Sequence, residues 1–133
     1  MDDLAAWLRA QLDEDERTAR ASVWDGLGNK LAWELAASAT IDVGGDEFYA
    51  GDRTIANHVV AWDPARVLRE IDAKRQTLAD LATAEERMDR ASRDQDTAGY
   101  NASRAEATVL KRIARRDAAV YADRPGYREE WRP

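Results

Sequence analysis

Trp62-Asp63-Pro64-Ala65-Arg66-Val67-Leu68 decides the architecture, because it fixes where the longest helical stretch begins and divides the chain in two. Asp63 suits an N-cap, its carboxylate accepting from the free backbone N–H groups of a first turn. Pro64 at the first helical position forfeits no hydrogen bond and brings a helical φ with it. The sequence after this step reads helical for tens of residues, and the sequence just before it reads as short strands and turns.

Downstream, Val67, Ile71, Leu78, Leu81 and Met88 recur on alternating four- and three-residue steps, predicting a helix from Pro64 to about Arg93, roughly 45 Å long. Lys74, Glu85 and Ser92 interrupt the same ladder, so the stripe falls short of a sustained coiled coil. It suits packing against a second helix of the same chain or of a twin subunit. The stretch Asp94–Asn101 contains Gly99 and reads as a turn, with Ser103 and Glu106 as a capping box for a further helix ending near Ala122. The rival is one helix running through Gly99, at a cost of only about 1 kcal/mol relative to alanine. Asp123-Arg124-Pro125-Gly126 then reads as a turn, Pro125 and Gly126 holding the central positions of a type II geometry.

Upstream, Leu4, Trp7, Leu8 and Leu12 place one apolar face on a helix over residues 2–21. Glycines 26, 28, 44, 45 and 51 then punctuate segments around Val23–Trp24, Leu31–Leu35, Thr40–Val43 and Glu47–Ala50, predicting a small antiparallel meander. A short helix follows over Thr54–Ala61. The expected class is α+β: an N-terminal helix, a small antiparallel β-meander, then a long C-terminal helical hairpin. All of it forms a single domain over 1–133, with helix and sheet in 1–62, hairpin in 63–122 and a tail in 123–133.

Composition narrows the function classes. The 133 residues are 44% hydrophobic, much of this alanine, and five tryptophans stand against one phenylalanine, so the tryptophans are expected to supply core bulk. The absence of cysteine excludes disulfides, thiolate catalysis and Cys-based metal sites. No apolar run is long enough to span a bilayer and the acidic start is wrong for a signal peptide, so a soluble, cytoplasmic protein is expected. The net charge of −6 is uneven: residues 1–63 hold 13 acidic and 5 basic side chains, and residues 64–122 hold 10 acidic and 12 basic. That balance argues against direct nucleic-acid binding, which needs a dense basic face.

Several motifs invite chemistry. Gly44-Gly45-Asp46-Glu47-Phe48 matches letter for letter the signature of diguanylate cyclases, but only 43 residues precede it and the upstream metal-binding pattern is missing; as a Gly-Gly-Asp turn between two strands it is ordinary hairpin chemistry. Asp42, Asp46, Glu47 and Asp52 lack the spacing of an EF-hand loop and read as turn acids. His58, the single histidine, has no second ligand and no nucleophile nearby in sequence, and reads as partly buried or capping. Asp13-Glu14-Asp15-Glu16 reads as a solvated face that Arg17 and Arg20 can pair with. Lys111, Arg112, Arg115 and Arg116 share one face of the last helix, suited to phosphate or to an acidic run such as 13–16 of the same or another subunit.

Three islands together carry a resemblance: Asp2-Asp3-Leu4 with Leu12-Asp13-Glu14-Asp15-Glu16; Asp63-Pro64-Ala65-Arg66-Val67-Leu68 with Ala73-Lys74-Arg75; and Tyr121-Ala122-Asp123 followed by Pro125, Tyr127 and Trp131-Arg132-Pro133. The combination resembles Domain of Unknown Function 6221, a family of small actinobacterial and actinophage proteins. The resemblance implies a cytoplasmic actinobacterial or phage origin and supplies no activity. Its members often carry histidines before the Asp-Pro step and a later Cys-Pro-x-Cys pair, together resembling a zinc site. Here His58 matches the first histidine, Trp62 stands in place of the second, and the cysteines are missing.

The expectation is therefore a non-enzymatic interaction or accessory protein, with no cofactor, metal or membrane contact, acting as a homodimer or with a protein partner. Its candidate interaction residues are Val67, Ile71, Leu78, Leu81, Met88, Lys111, Arg112, Arg115 and Arg116. One alternative is an acidic phage-type inhibitor with residues 13–16 and 42–52 imitating phosphates; the other is a nucleotide-binding protein using Gly44–Phe48.

Overall fold

The computed structural model describes residues 2–23 and 28–133. Within them the order is α1 (Asp2–Ala21), β1 (Glu34–Ala37), β2 (Thr40–Asp42), β3 (Glu47–Tyr49), α2 (Arg53–Ala61), α3 (Pro64–Arg93), α4 (Thr97–Ala119) and a 3-10 turn at Glu129–Trp131. This is the expected α+β architecture. The segment expected around Val23–Trp24 and the turn at Gly26 reach outside the described residues. Two compact units divide the chain, one of residues 13–72 and one of residues 1–12 with 73–133. The division falls within α1 and α3, and α3 starts nine residues before it.

In the unit of residues 13–72, the three strands form an antiparallel meander in the order β1-β2-β3. Ile41 pairs with Leu35 on one side and Phe48 on the other, and the register shifts between Leu35 and Ala37. Ala39, Ile41 and Val43 bury one sheet face against Ala56 of α2, with Trp33, Leu35, Val59 and Val60 around them. Helix α2 starts where Asp52 Oδ1 accepts from the N–H groups of Thr54 and Ile55, at 2.7 and 3.3 Å. Asp63 caps α3: Oδ1 accepts from Arg66 N at 2.9 Å, while Oδ2 accepts from Trp33 N at 2.9 Å. One buried carboxylate thus ends the loop before the sheet and starts the longest helix.

In the other unit, α3 and α4 fold back as a hairpin. Leu81 and Ala84 pack against Ala107, with Met88 and Leu110 alongside. Alanine at the contact lets the two backbones approach closely, and leucine fills the remaining space. Helix α3 ends in a Schellman arrangement: Gln95 adopts φ +54°, its N–H reaches Ser92 O at 3.3 Å, and Asp96 N reaches Ala91 O at 2.8 Å. Asp96 then caps α4 by accepting from Gly99 N at 2.9 Å. The chain therefore turns at residues 94–96, which rules out one continuous helix through Gly99. The expected capping box is also corrected: Ser103 and Glu106 lie inside α4, whose first turn contains Gly99. A Cβ at Gly99 would collide with the Asp96 carboxylate, so this glycine permits the cap.

The tail docks within the same unit. Tyr127 N donates to Arg124 O at 3.4 Å and Gly126 takes φ +89°, the geometry expected of the Pro125–Gly126 turn. Trp7 Nε1 donates to Pro125 O at 3.0 Å, and a Cβ on Gly126 would stand 2.7 Å from that nitrogen. The Trp7 ring meets Tyr127 and Trp131 with centroids 5.7 and 5.5 Å apart. The expectation that the tryptophans furnish the core needs correcting. Trp131 is buried, Trp7 and Trp33 are half-buried, Trp62 is 48% exposed, and Trp24 lies outside the described residues. Small alanines and leucines carry most of the interior.

Candidate interaction surface

The candidate residues separate into two groups. Ile71, Leu78 and Leu81 are buried, and Val67 and Met88 are half-buried. Of the two coverings the stripe allowed, Leu81 and Met88 have the one within the chain, from α4. Arg112, Arg115 and Arg116 are exposed and Lys111 half-buried, and none of the four makes an ion pair among the described residues. They line an open groove with Thr108 and Pro133.

Helical spacing explains this grouping. Ser103, Ala107, Ala114 and Ala118 form the buried side of α4. Val109, Arg112, Arg116 and Val120 follow one another at three- and four-residue steps and lie on the outer side. Val109 and Val120 are 49% and 68% exposed, so this basic face also carries apolar contact area at both ends. The cations sit toward the negative end of the helix dipole, which steadies them without requiring an acidic neighbour.

Burial pushes the Asp117 carboxyl of α4 above its ordinary pKa, and the Lys74 ammonium partly offsets this by favouring the charged form. A carboxyl that holds its proton more tightly folded than unfolded makes stability fall as pH rises between the unfolded and the raised folded values. Asp117→Asn is therefore expected to raise the melting temperature slightly at neutral pH. The gain should shrink toward acidic pH, where the native carboxyl is protonated too; parallel melting curves across that range would refute the desolvation account.

The acidic motifs are occupied locally. Arg17 pairs with Glu14, and Arg20 Nε reaches Glu16 Oε1 at 3.0 Å, as the spacing predicted. Asp42 Oδ1 accepts from Gly44 N at 2.8 Å, Asp46 Oδ1 from Glu47 N at 2.7 Å, and Asp52 caps α2. Residues 44–46 form the turn between β2 and β3, closed by Val43 N to Asp46 O at 3.0 Å. Phe48 meets the Trp33 ring edge-on, with centroids 6.2 Å apart. The Gly44–Phe48 string is thus hairpin structure, its aspartate turned onto its own backbone.

His58, expected to be partly buried or capping, is exposed; its ring lies 6.2 Å from that of Trp62. The aromatic at the second position is an indole, whose nitrogen only donates. The pair therefore does not fit the zinc ligand set that the resemblance implies. Trp62 instead carries the Arg66 guanidinium over its ring at 3.9 Å, while Arg66 Nε pairs with Glu70 Oε1 at 3.2 Å. The sequence reading missed this half-exposed indole, although Arg66 and Glu70 stand four and eight residues after it, at helical spacing.

No described helix is long and apolar enough to cross a membrane. Comparison with known proteins matches the chain over residues 1–133 to the family described as "Family of unknown function (DUF6221)". No curated protein matches the chain, and no solved structure matches it.

Proposed function

We propose that this chain, a member of the family of unknown function DUF6221, is a non-enzymatic interaction protein that docks an acidic protein surface on the outer face of α4. The observation that carries the reading is the set Lys111, Arg112, Arg115 and Arg116, lacking ion partners among the described residues and bracketed by exposed Val109 and Val120. Four like charges gathered on one face repel one another, so an anionic surface laid across them gains more than it would at scattered sites.

The partner best matched in charge is a second copy of the chain. Residues 13–72 hold 13 acidic and 6 basic side chains, a net of −7, whereas the other unit is close to neutral. A two-fold dimer would use the contact twice, each copy's α4 on the other's acidic unit. The buried apolar stripe of α3 is not part of this contact. The setting that goes with the resemblance is an actinobacterial or phage-infected cytoplasm.

Light scattering at tens of micromolar tests the reading. A dimer is expected at about 50 mM salt, dissociating as salt rises toward about 0.5 M because exposed charges are then screened beyond a few ångströms. Arg112→Glu with Arg115→Glu and Arg116→Glu is expected to be monomeric throughout. A wild-type monomer at low salt would end the self-association.

A further inference from the structure

We infer that the cleft between α1 and the Trp33 and Trp62 indoles is a binding site for an organic cation with an apolar body, such as a quaternary ammonium group. The cleft lies wholly within residues 13–72 and holds about 350 Å³. Its walls are Trp33, Trp62, Pro64 and Val67, and α1 contributes Asp15, Thr18, Ala19 and Ser22.

Three observations select the ligand's chemistry. First, two of the lining side chains are indoles, the aromatic type that attracts cations most strongly, and Arg66 already uses the Trp62 ring in this way. Their positions are fixed: Trp33 Nε1 donates to Lys30 O at 2.9 Å, and Trp62 is held by Arg66, which does not line the cleft. Second, among the described lining residues the one charged side chain is a carboxylate, Asp15, itself engaged by the protein, and none is a lysine or arginine. Third, the unit around the cleft carries a net charge of −7, and the nearest cation described on the aromatic wall, Arg66, is paired with Glu70. Anions meet an unfavourable field here; a purely apolar ligand leaves the field and the indole quadrupoles unused. A soft, weakly hydrated cation uses both at small desolvation cost.

The site is independent of the α4 face, so either can fail alone. The test is an NMR titration of the intact chain, following the indole Nε–H signals of Trp33 and Trp62, with choline and its uncharged isostere 3,3-dimethylbutan-1-ol. Choline is expected to saturate both signals in the millimolar range and to bind about fivefold or more tightly than the alcohol. Trp62→Ala, which removes a half-exposed side chain, is expected to weaken choline at least fivefold with the melting temperature little changed. Asp15→Asn is expected to weaken choline and leave the alcohol unaffected. Equal binding of the two ligands would make the cleft merely apolar and overturn the inference, as would the absence of a saturable shift with choline.

Discussion

Asp63→Ala is expected to lower the free energy of unfolding by about 2–4 kcal/mol in a urea titration at neutral pH. Two losses combine. The first turn of α3 loses its cap, the 2.9 Å bond from Arg66 N, which is worth about 1 kcal/mol at such positions. The Trp33 N–H loses its 2.9 Å acceptor in a part-buried setting, and an unmet donor there costs about 1–3 kcal/mol. Asp63→Asn separates the two, because its single carbonyl oxygen can serve one donor and not both; it should lose roughly half as much. Asparagine keeps a good cap, so if alanine and asparagine cost the same, the cap contributes little and the bridge to Trp33 carries the loss.

Leu81→Ala is expected to cost about 2–5 kcal/mol by the same measurement. Leu81 is 1% exposed and fills the contact of α3 with α4 beside Ala84 and Ala107. Its neighbours there are already alanines, so the backbones are near their closest approach and the vacancy cannot be closed by a further shift. Val109→Ala on the outer side of α4 serves as the control and should change stability by no more than about 0.5 kcal/mol. A Leu81→Ala cost under about 1 kcal/mol would show that the hairpin repacks around the gap.

These two positions also mark what could be read from residues alone. The Asp63–Pro64 step was legible because both residues act locally, one through its side chain and one through its ring. Helix α1 was legible because Leu4, Leu8 and Leu12 repeat at one spacing, and all three are buried. The turn at residues 94–96 lies within the expected Asp94–Asn101 stretch, which was drawn too long for a local reason too: Gln95, not a glycine, takes the left-handed conformation that ends α3, and Gly99 looks like a breaker while serving the cap. The basic face of α4 was visible in its spacing, but its lack of ion partners among the described residues depends on the fold. For Trp62 the spacing to Arg66 and Glu70 hinted at the stacking, but the cleft beside it left no sequence signal. Its ring is supported by Arg66 and borders a cleft, an outcome set by how residues 15–22 and 62–67 meet and not by its hydrophobicity.

The unit built from residues 1–12 and 73–133 has a consequence for biogenesis. A ribosome releases Leu4, Trp7, Leu8 and Leu12 more than a hundred residues before the rings that meet Trp7, those of Tyr127 and Trp131. At roughly 5–20 residues per second the leading helix waits on the order of ten seconds for them. Throughout that interval a nascent chain displays a greasy amphipathic segment, and any product cut short before Tyr127 never conceals it. Quality-control proteases and holdase chaperones would therefore meet this polypeptide at Leu4–Leu12, because the partners of Trp7 arrive more than a hundred residues later.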